Sequence, residues 1–419
     1  MKILYISDVH AAVDNLNIVM EYTKENTPDM AVVSGDLVDF GFLKKGIGIH
    51  PETNQRILVR DIPIYEPYTL EKYQNLFGFL FDYAQRHEEG MQRLSNIYDM
   101  TRAVYIVAEK ISQNPPEELS EDDIEQLKEF KLDREFDNIE DIVDYYLSIV
   151  DFAEGNMDIQ YDCIKDILDR SGVNYHVLPG NYDKDIQETS LKDKDIHRKT
   201  LDKDGLIISC FGGANDFERG DIAIEGIPLE ITVPFKEYVS RMRTTISEVF
   251  NFLIEEKPDI AFTHIPPRGN EMDIGLAKRD PPMQHPQTKQ AMFKGSPGLT
   301  AYVKQGFTKL ICCGHMHGGV GASNVKTEDG LAVVLNAGSL DHGYFTEINI
   351  DDETKEVDSI NLYQIKPKII QTDNSIDWKE ELDINNVELL IKYVIRPDGN
   401  LERIKLAKSI LEVNDQDMY

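Results

Sequence analysis

Short apolar runs and longer amphipathic stretches alternate at the start of the chain. Lys2 to Ser7 is apolar with β-branched residues and predicts a buried strand. Val13 to Asn26 has helical spacing, with Leu16, Val19, Met20 and Tyr22 partly on one side, and Pro28 ends it. Met30 to Ser34 predicts a second buried strand. Strand, helix and strand in this order imply a βαβ unit and a parallel sheet.

The pattern then changes. Residues near 41–67 read as loop, with several Gly and Pro. Leu70, Tyr73, Phe77, Leu80, Ala84, Met91, Leu94 and Tyr98 then recur at helical spacing. Ser120 followed by Asp123 is a helix-start signal before Ile124 and Leu127, and Ile139 to Phe152 predicts a further helix. Residues 68–155 therefore read as an all-helical insertion. Strand-type runs return at Asn174 to Leu178, Leu206 to Phe211, Asp259 to Thr263, Lys309 to Cys313 and Leu331 to Leu335, with a helix expected over Phe235 to Glu256. Residues 344–365 alternate apolar and polar, as half-buried antiparallel strands do. The expected fold is α/β, with a discontinuous core over 1–67 and 156–368 and a C-terminal extension over 369–419 that shows no periodicity.

Composition narrows the class. At 419 residues the chain exceeds one simple core, and 41% hydrophobic with 28% charged residues is ordinary for a globular protein. A formal net charge of -31 disfavours nucleic acid as partner, because non-specific binding rests on Lys and Arg contacts to phosphate. The four cysteines, Cys163, Cys210, Cys312 and Cys313, have no CxxC spacing, and the last two lie in an apolar run that reads as core. With no signal-peptide pattern in MKILYISDVH and no run of about 20 apolar residues, a cytoplasmic protein without a membrane span is expected.

Candidate chemistry falls at the strand ends. Five predicted strands run into potential ligands: Asp8-Val9-His10, Gly35-Asp36, Gly180-Asn181, His264, and Gly314-His315-Met316-His317. In open α/β sheets, sites form beyond the carboxyl ends of strands, so these loops are expected to converge on one edge. Asp8 and Asp36 offer hard oxygens, Asn181 a carbonyl, and His10, His264, His315 and His317 imidazole nitrogens. A mixed N/O set without thiolate favours Mn, Fe, Zn or Co. Spacing of i and i+2 in extended chain would put Asp8 with His10, and His315 with His317, on one side. The Gly before Asp36, Asn181 and His315 permits tight turns.

The order D-x-H, G-D, G-N-x-D, H, G-H-x-H resembles the signature of calcineurin-like metallophosphoesterases, over about residues 1–40 and 160–350. The resemblance implies a β-sandwich of mixed sheets flanked by helices. It implies one divalent metal ion held by Asp8, His10, Asp36 and His317, and a second by Asp36, Asn181, His264 and His315, with Mn, Fe or Zn expected. It further implies hydrolysis of a small phosphoester, a phosphodiester or phosphomonoester, by a hydroxide held between the two metals. Most members read G-N-H-D/E where this chain has Gly180-Asn181-Tyr182-Asp183. A phenol has a pKa of about 10 and is a poorer acid at neutral pH than imidazolium. Tyr182 is then a hydrogen-bond donor to phosphate, Asp183 loses an imidazole partner, and esters with good leaving groups are the expected substrates.

Other residues carry weaker expectations. Arg268 follows His264 closely and has a fork suited to phosphate, with surface exposure the alternative. His285 and His342 lie near the expected site loops and are candidates to replace the missing acid. Asn215, after Gly212-Gly213-Ala214, is a further substrate-contact candidate. His176 reads as a sheet residue, and His50, His87 and His197 as exposed. Tyr73, Phe77 and Phe81 read as helical packing. The insertion is expected to cap the site. The rival functions are a non-catalytic, protein-binding scaffold of this fold and a nuclease of the same superfamily.

Overall fold

The computed structural model describes residues 1–38, 138–181, 183–215, 246–273, 295–366, 387–396 and 398–405. Shorter pieces are described at 47–49, 56–58, 76, 79–80, 120–129, 136, 243–244, 368–371 and 378–381. The chain forms two compact units, one of Met1–Val38, Tyr161–Asp221 and Arg241–Tyr419, the other of Asp39–Gln160 and Ile222–Ser240.

The chain begins with β1 (Lys2–Ser7), α1 (Val13–Glu25), β2 (Met30–Ser34), β3 (Ile47–Ile49), β4 (Arg56–Leu58), α2 (Glu121–Glu129) and α3 (Ile139–Ser171). It continues through β5 (Tyr175–Leu178), β6 (Lys199–Lys203), β7 (Leu206–Phe211), β8 (Ala214–Asn215), β9 (Arg243–Thr244), α4 (Ile246–Glu256) and β10 (Ile260–Thr263). Then follow α5 (Pro297–Lys304), β11 (Leu310–Cys313), β12 (Gly321–Lys326), β13 (Leu331–Asn336), β14 (Tyr344–Ile350) and β15 (Val357–Ile365). The last strands are β16 (Lys368–Gln371), β17 (Trp378–Glu381), β18 (Val387–Ile395) and β19 (Leu401–Lys405).

The first unit holds two mixed sheets. One runs β19-β18-β15-β14-β1-β2-β5, with β1, β2 and β5 parallel; the other runs β12-β13-β11-β10-β7-β6, with β7, β10, β11 and β13 parallel. Their inner faces make one core, in which Ile3, Tyr5 and Val32 of the first sheet meet Ile208, Phe262 and Cys312 of the second. The Tyr5 and Phe262 rings approach to 5.1 Å between centroids. Burying each such side chain contributes about 1.5–3 kcal/mol, so this interior, rather than strand propensity, holds the sheets in place. On the outer faces, Tyr22 of α1 meets Phe345 and Tyr363, while α4 and α5 cover Phe211, Ala261 and Ile311. This is an α/β fold of two mixed sheets flanked by helices.

Several expectations need correction. The stretch near 41–67 contains the β3–β4 pair, too short for the alternation to register. The helix begun at Ile139 runs on to Ser171. In the expected insertion, α2 opens on the predicted signal: Ser120 Oγ donates to Asp123 Oδ2 at 2.6 Å and accepts from the Asp123 amide at 3.2 Å. Most of 68–119, with Tyr73, Phe77, Phe81 and His87, lies outside the described residues, as do His50 and residues 235–242. The extension is partly sheet, since β18 and β19 continue the first sheet beyond β15. Among the described residues no helix is long and apolar enough to cross a membrane.

Candidate metal centre

The donors sit where strands stop. β1 ends at Ser7, and Asp8, His10 and Ala11 adopt positive φ (51°, 44° and 55°); β2 ends at Ser34, and Gly35 and Asp36 turn at 70° and 46°. His315, after β11, has φ 63°. Such conformations cost about 1–3 kcal/mol each in a non-glycine residue and persist only where surroundings impose them. At two turns the imposition is direct. A Cβ on Gly314 would lie 1.7 Å from Ser7 Oγ and 2.2 Å from Asp8 Oδ2, and one on Gly180 would lie 2.2 Å from the Asp36 amide nitrogen. Both glycines let a loop from one strand touch a carboxylate loop from another.

Two groups result. Donor atoms of Asp8, His10 and His317 lie within 4.8 Å of one another, and so do those of Asp36, His264 and His315. His10 Nε2 is 3.1 Å from His317 Nε2, which is 3.3 Å from Asp8 Oδ1. His264 Nε2 is 3.0 Å from Asn181 Oδ1 and 3.4 Å from Asp36 Oδ2. Asp36 Oδ2 also lies 3.8 Å from His10 Nε2, so this carboxylate faces both groups. His315 and His317 fall in different groups. The i, i+2 argument assumed extended chain, and the positive φ of His315 turns the two rings apart.

Electrostatics fit a cationic centre. Burial works to raise the Asp8 and Asp36 carboxyls, but imidazole partners win and both are held below the ordinary carboxylate range. For Asp8 these are the hydrogen bond from His317 and the charge of His264; for Asp36, His264 dominates, followed by His10. Burial works to lower His264, yet the Asp36 charge raises it above its usual value. Burial and the charge of His264 push His315 down to about 4. A shared proton can join one pair of facing lone pairs but cannot serve a whole converging N/O set. The donors present thus suit two divalent ions and include no thiolate.

A supporting layer was illegible in the sequence. Ser7 Oγ lies 2.6 Å from Asp8 Oδ2, and the His315 amide donates to both Asp8 oxygens at 3.0 and 2.9 Å. Ser339 Oγ donates to the Asp8 carbonyl at 2.9 Å. Asp183 is fully buried and accepts from the amides of Leu37, Val38 and Gly180 and from Tyr161 Oη. Burial and then the charge of Asp36 push its carboxyl up to about 6. A serine next to an aspartate carries no motif, and Tyr161 stands in an ordinary amphipathic helix.

The remaining candidates separate. The His342 ring stands edge-on to His317, with centroids 5.7 Å apart, on a turn anchored by Ser339. The Arg268 side chain is exposed, and its backbone pairs with Ser296. Asn215 pairs with Thr244 through its backbone, and its side chain is outside the description, as are Tyr182 and His285. His197, expected exposed, is half-buried: its Nδ1 accepts from the Gly212 amide at 2.9 Å and its ring lies against Phe211, because the chain after Ile196 folds beneath the Gly212 turn.

No curated protein matches the chain. Among solved structures, TT1561 of Thermus thermophilus aligns at 12% identity and TM-score 0.39, covering 85% of this chain and 96% of that one. A dimetal phosphatase from Danio rerio, LOC 393393, aligns at 9% identity and TM-score 0.38, covering 86% and 95%. A further crystal structure aligns at 15% identity and TM-score 0.42, covering 87% and 99%. Residues 1–87, which carry Asp8, His10 and Asp36, match the model of the calcineurin-like phosphoesterase family, the family that the five motifs resemble.

Proposed function

We propose that the protein is a dinuclear, metal-dependent phosphoester hydrolase acting on a small phosphodiester or phosphomonoester. The observation that carries this reading is the position of Asp36 Oδ2, 3.8 Å from His10 Nε2 and 3.4 Å from His264 Nε2, between two separate sets of nitrogen and oxygen donors. Asp8, His10 and His317 would hold one ion and Asn181, His264 and His315 the other, with Asp36 shared. Two such ions polarise phosphoryl oxygens and make a coordinated water acidic enough to attack at neutral pH. Mn, Fe and Zn are the metals this donor set favours.

The protein's own residues prepare that chemistry. Ser7 and the His315 amide fix the Asp8 carboxylate, so its lone pairs point one way before an ion arrives. The buried Asp36–His264 pair keeps Asp36 ionised, which a hard cation requires. Leaving-group protonation is the weak point, since Tyr182 stands where most relatives have His and a phenol holds its proton at neutral pH. Substrates whose leaving oxygen needs no proton, such as aryl esters and diesters, are therefore preferred.

Metal analysis and turnover of a generic aryl phosphodiester with Mn, on wild type and Asp36→Asn, test the proposal. The wild type should carry about two ions per chain. Loss of the shared carboxylate should cost about 10³-fold in turnover, the scale of several kcal/mol of charge stabilisation. A wild type that takes up no divalent metal, or a variant as active as wild type, overturns the reading.

A further inference from the structure

We infer that Tyr161 of α3 is a positioning residue for the metal loops, acting through Asp183; this rests on the function proposed above. Asp36 sits at φ 46° directly after Gly35 at 70°, a turn the chain does not adopt unaided. The next two amides, Leu37 and Val38, both donate to Asp183, at 3.0 Å and 3.4 Å to Oδ1. The amide of Gly180, immediately before Asn181, donates to Asp183 Oδ2 at 2.7 Å. One carboxylate thus ties the Asp36 loop to the Asn181 loop, and both loops feed the same donor group.

Asp183 needs its own anchor, and Tyr161 supplies it. Tyr161 Oη donates to Asp183 Oδ1 at 2.9 Å and accepts from the Lys184 amide at 2.9 Å. Tyr161 and Asp183 are both fully buried, so water cannot substitute for either bond. The hydroxyl fixes the carboxylate from one side and the backbone that follows it from the other. In many metal sites the groups behind the ligands change metal affinity by about 10–100-fold when removed. These bonds reach Asp36, whose carboxylate faces both donor groups, and Asn181, which faces only the second, so the ion on the Asn181 side should be weakened most.

Calorimetric titration of chelator-stripped full-length protein with Mn(II) tests this. Tyr161→Phe should weaken the affinity of at least one ion by about 10-fold or more and retain a cooperative melt. Leu168→Ala, on the same helix and also fully buried, should lower stability at least as much while leaving both affinities unchanged, which a merely structural role for Tyr161 would not distinguish. Should Tyr161→Phe fail to fold, Asp183→Asn reads the same tie and should weaken the same ion. Wild-type protein that binds no Mn(II) overturns the functional proposal and this inference together. Wild type that binds two ions, with Tyr161→Phe binding both as tightly, overturns the inference alone, as does equal weakening by Leu168→Ala.

Discussion

The two donor groups are built from the same residue types but differ in their access to water. In the first, the His10 and His317 side chains retain 11% and 23% of their exposure beside a buried Asp8; in the second, Asp36 and His264 retain 2% and 0%, with His315 part-exposed. Water can rearrange around an imidazole at the rim when a partner is lost. It cannot do so around a carboxylate at the floor. The lesson is that the floor group depends on internal charge pairing, while the rim group can lean on solvent.

The sharpest way to break this comparison is to remove one imidazole from each group in chelator-treated protein. His264→Ala leaves Asp36 without its main counter-charge in a buried site, and should cost about 3–5 kcal/mol in denaturant unfolding. His10→Ala, at the rim, should cost about 1 kcal/mol or less. The difference has a pH signature. His264 has a raised pKa in the fold, so its stabilisation is complete below about pH 6.5 and lost as pH climbs through the folded value. The gap between the two variants should therefore be widest near pH 6 and narrow above it. Equal losses at pH 6 would show that both groups are solvated alike.

How much of this contrast was legible in the sequence depends on what each residue has to say locally. The apolar runs ending at Ser7, Ser34, Phe211, Thr263 and Cys313 announced their strands because residues buried on both faces leave no polar positions to confuse the pattern. The glycines before Asn181 and His315 announced close approach. Which ring joins which group was hidden, because it depends on the left-handed turn at His315 and no spacing rule encodes that. Tyr161 and Ser339 were hidden because each acts on a partner distant in sequence or through a backbone atom, and Ser7 because a serine beside an aspartate carries no motif. β18, Val387 to Ile395, is itself an apolar run, and the acidic stretch that precedes it from Asp373 to Asp383 obscured it.

A smaller effect sharpens the comparison at the floor group, beside Asn181. Tyr182→His would supply the imidazole that the resembled signature carries at this position. General acid catalysis contributes about 10²–10⁴-fold where it operates, so even an imperfectly placed ring should speed hydrolysis of a poor leaving group about tenfold. An aryl ester, whose leaving oxygen needs no proton, should be hydrolysed at an unchanged rate. Parallel assays on alkyl and aryl phosphodiesters measure this, and equal rate changes on both would mean that leaving-group protonation does not limit the proposed reaction.

The smallest expected effect uses a histidine far from any carboxylate pair to check the sign of the argument made for His264. His176, on β5, has its Nε2 buried without a hydrogen-bond partner, and burial, followed by Lys203, Lys194 and Lys199, lowers its pKa. The fold therefore disfavours the protonated ring. Its penalty is absent above about pH 6.5 and grows as pH falls through that value, because the unfolded chain then binds the proton more readily than the fold does. This is opposite in sign to His264, where a buried carboxylate outweighs a more complete burial. His176→Leu abolishes the titration and should make the melting temperature fall less between pH 7.5 and pH 5. The change should be about 1–2 °C, since the ring is partly exposed and solvent screens its lysine neighbours. A variant whose pH profile runs parallel to wild type would place the origin of the acid sensitivity elsewhere. Burial would then not be what separates a histidine that is charged in this fold from one that is neutral.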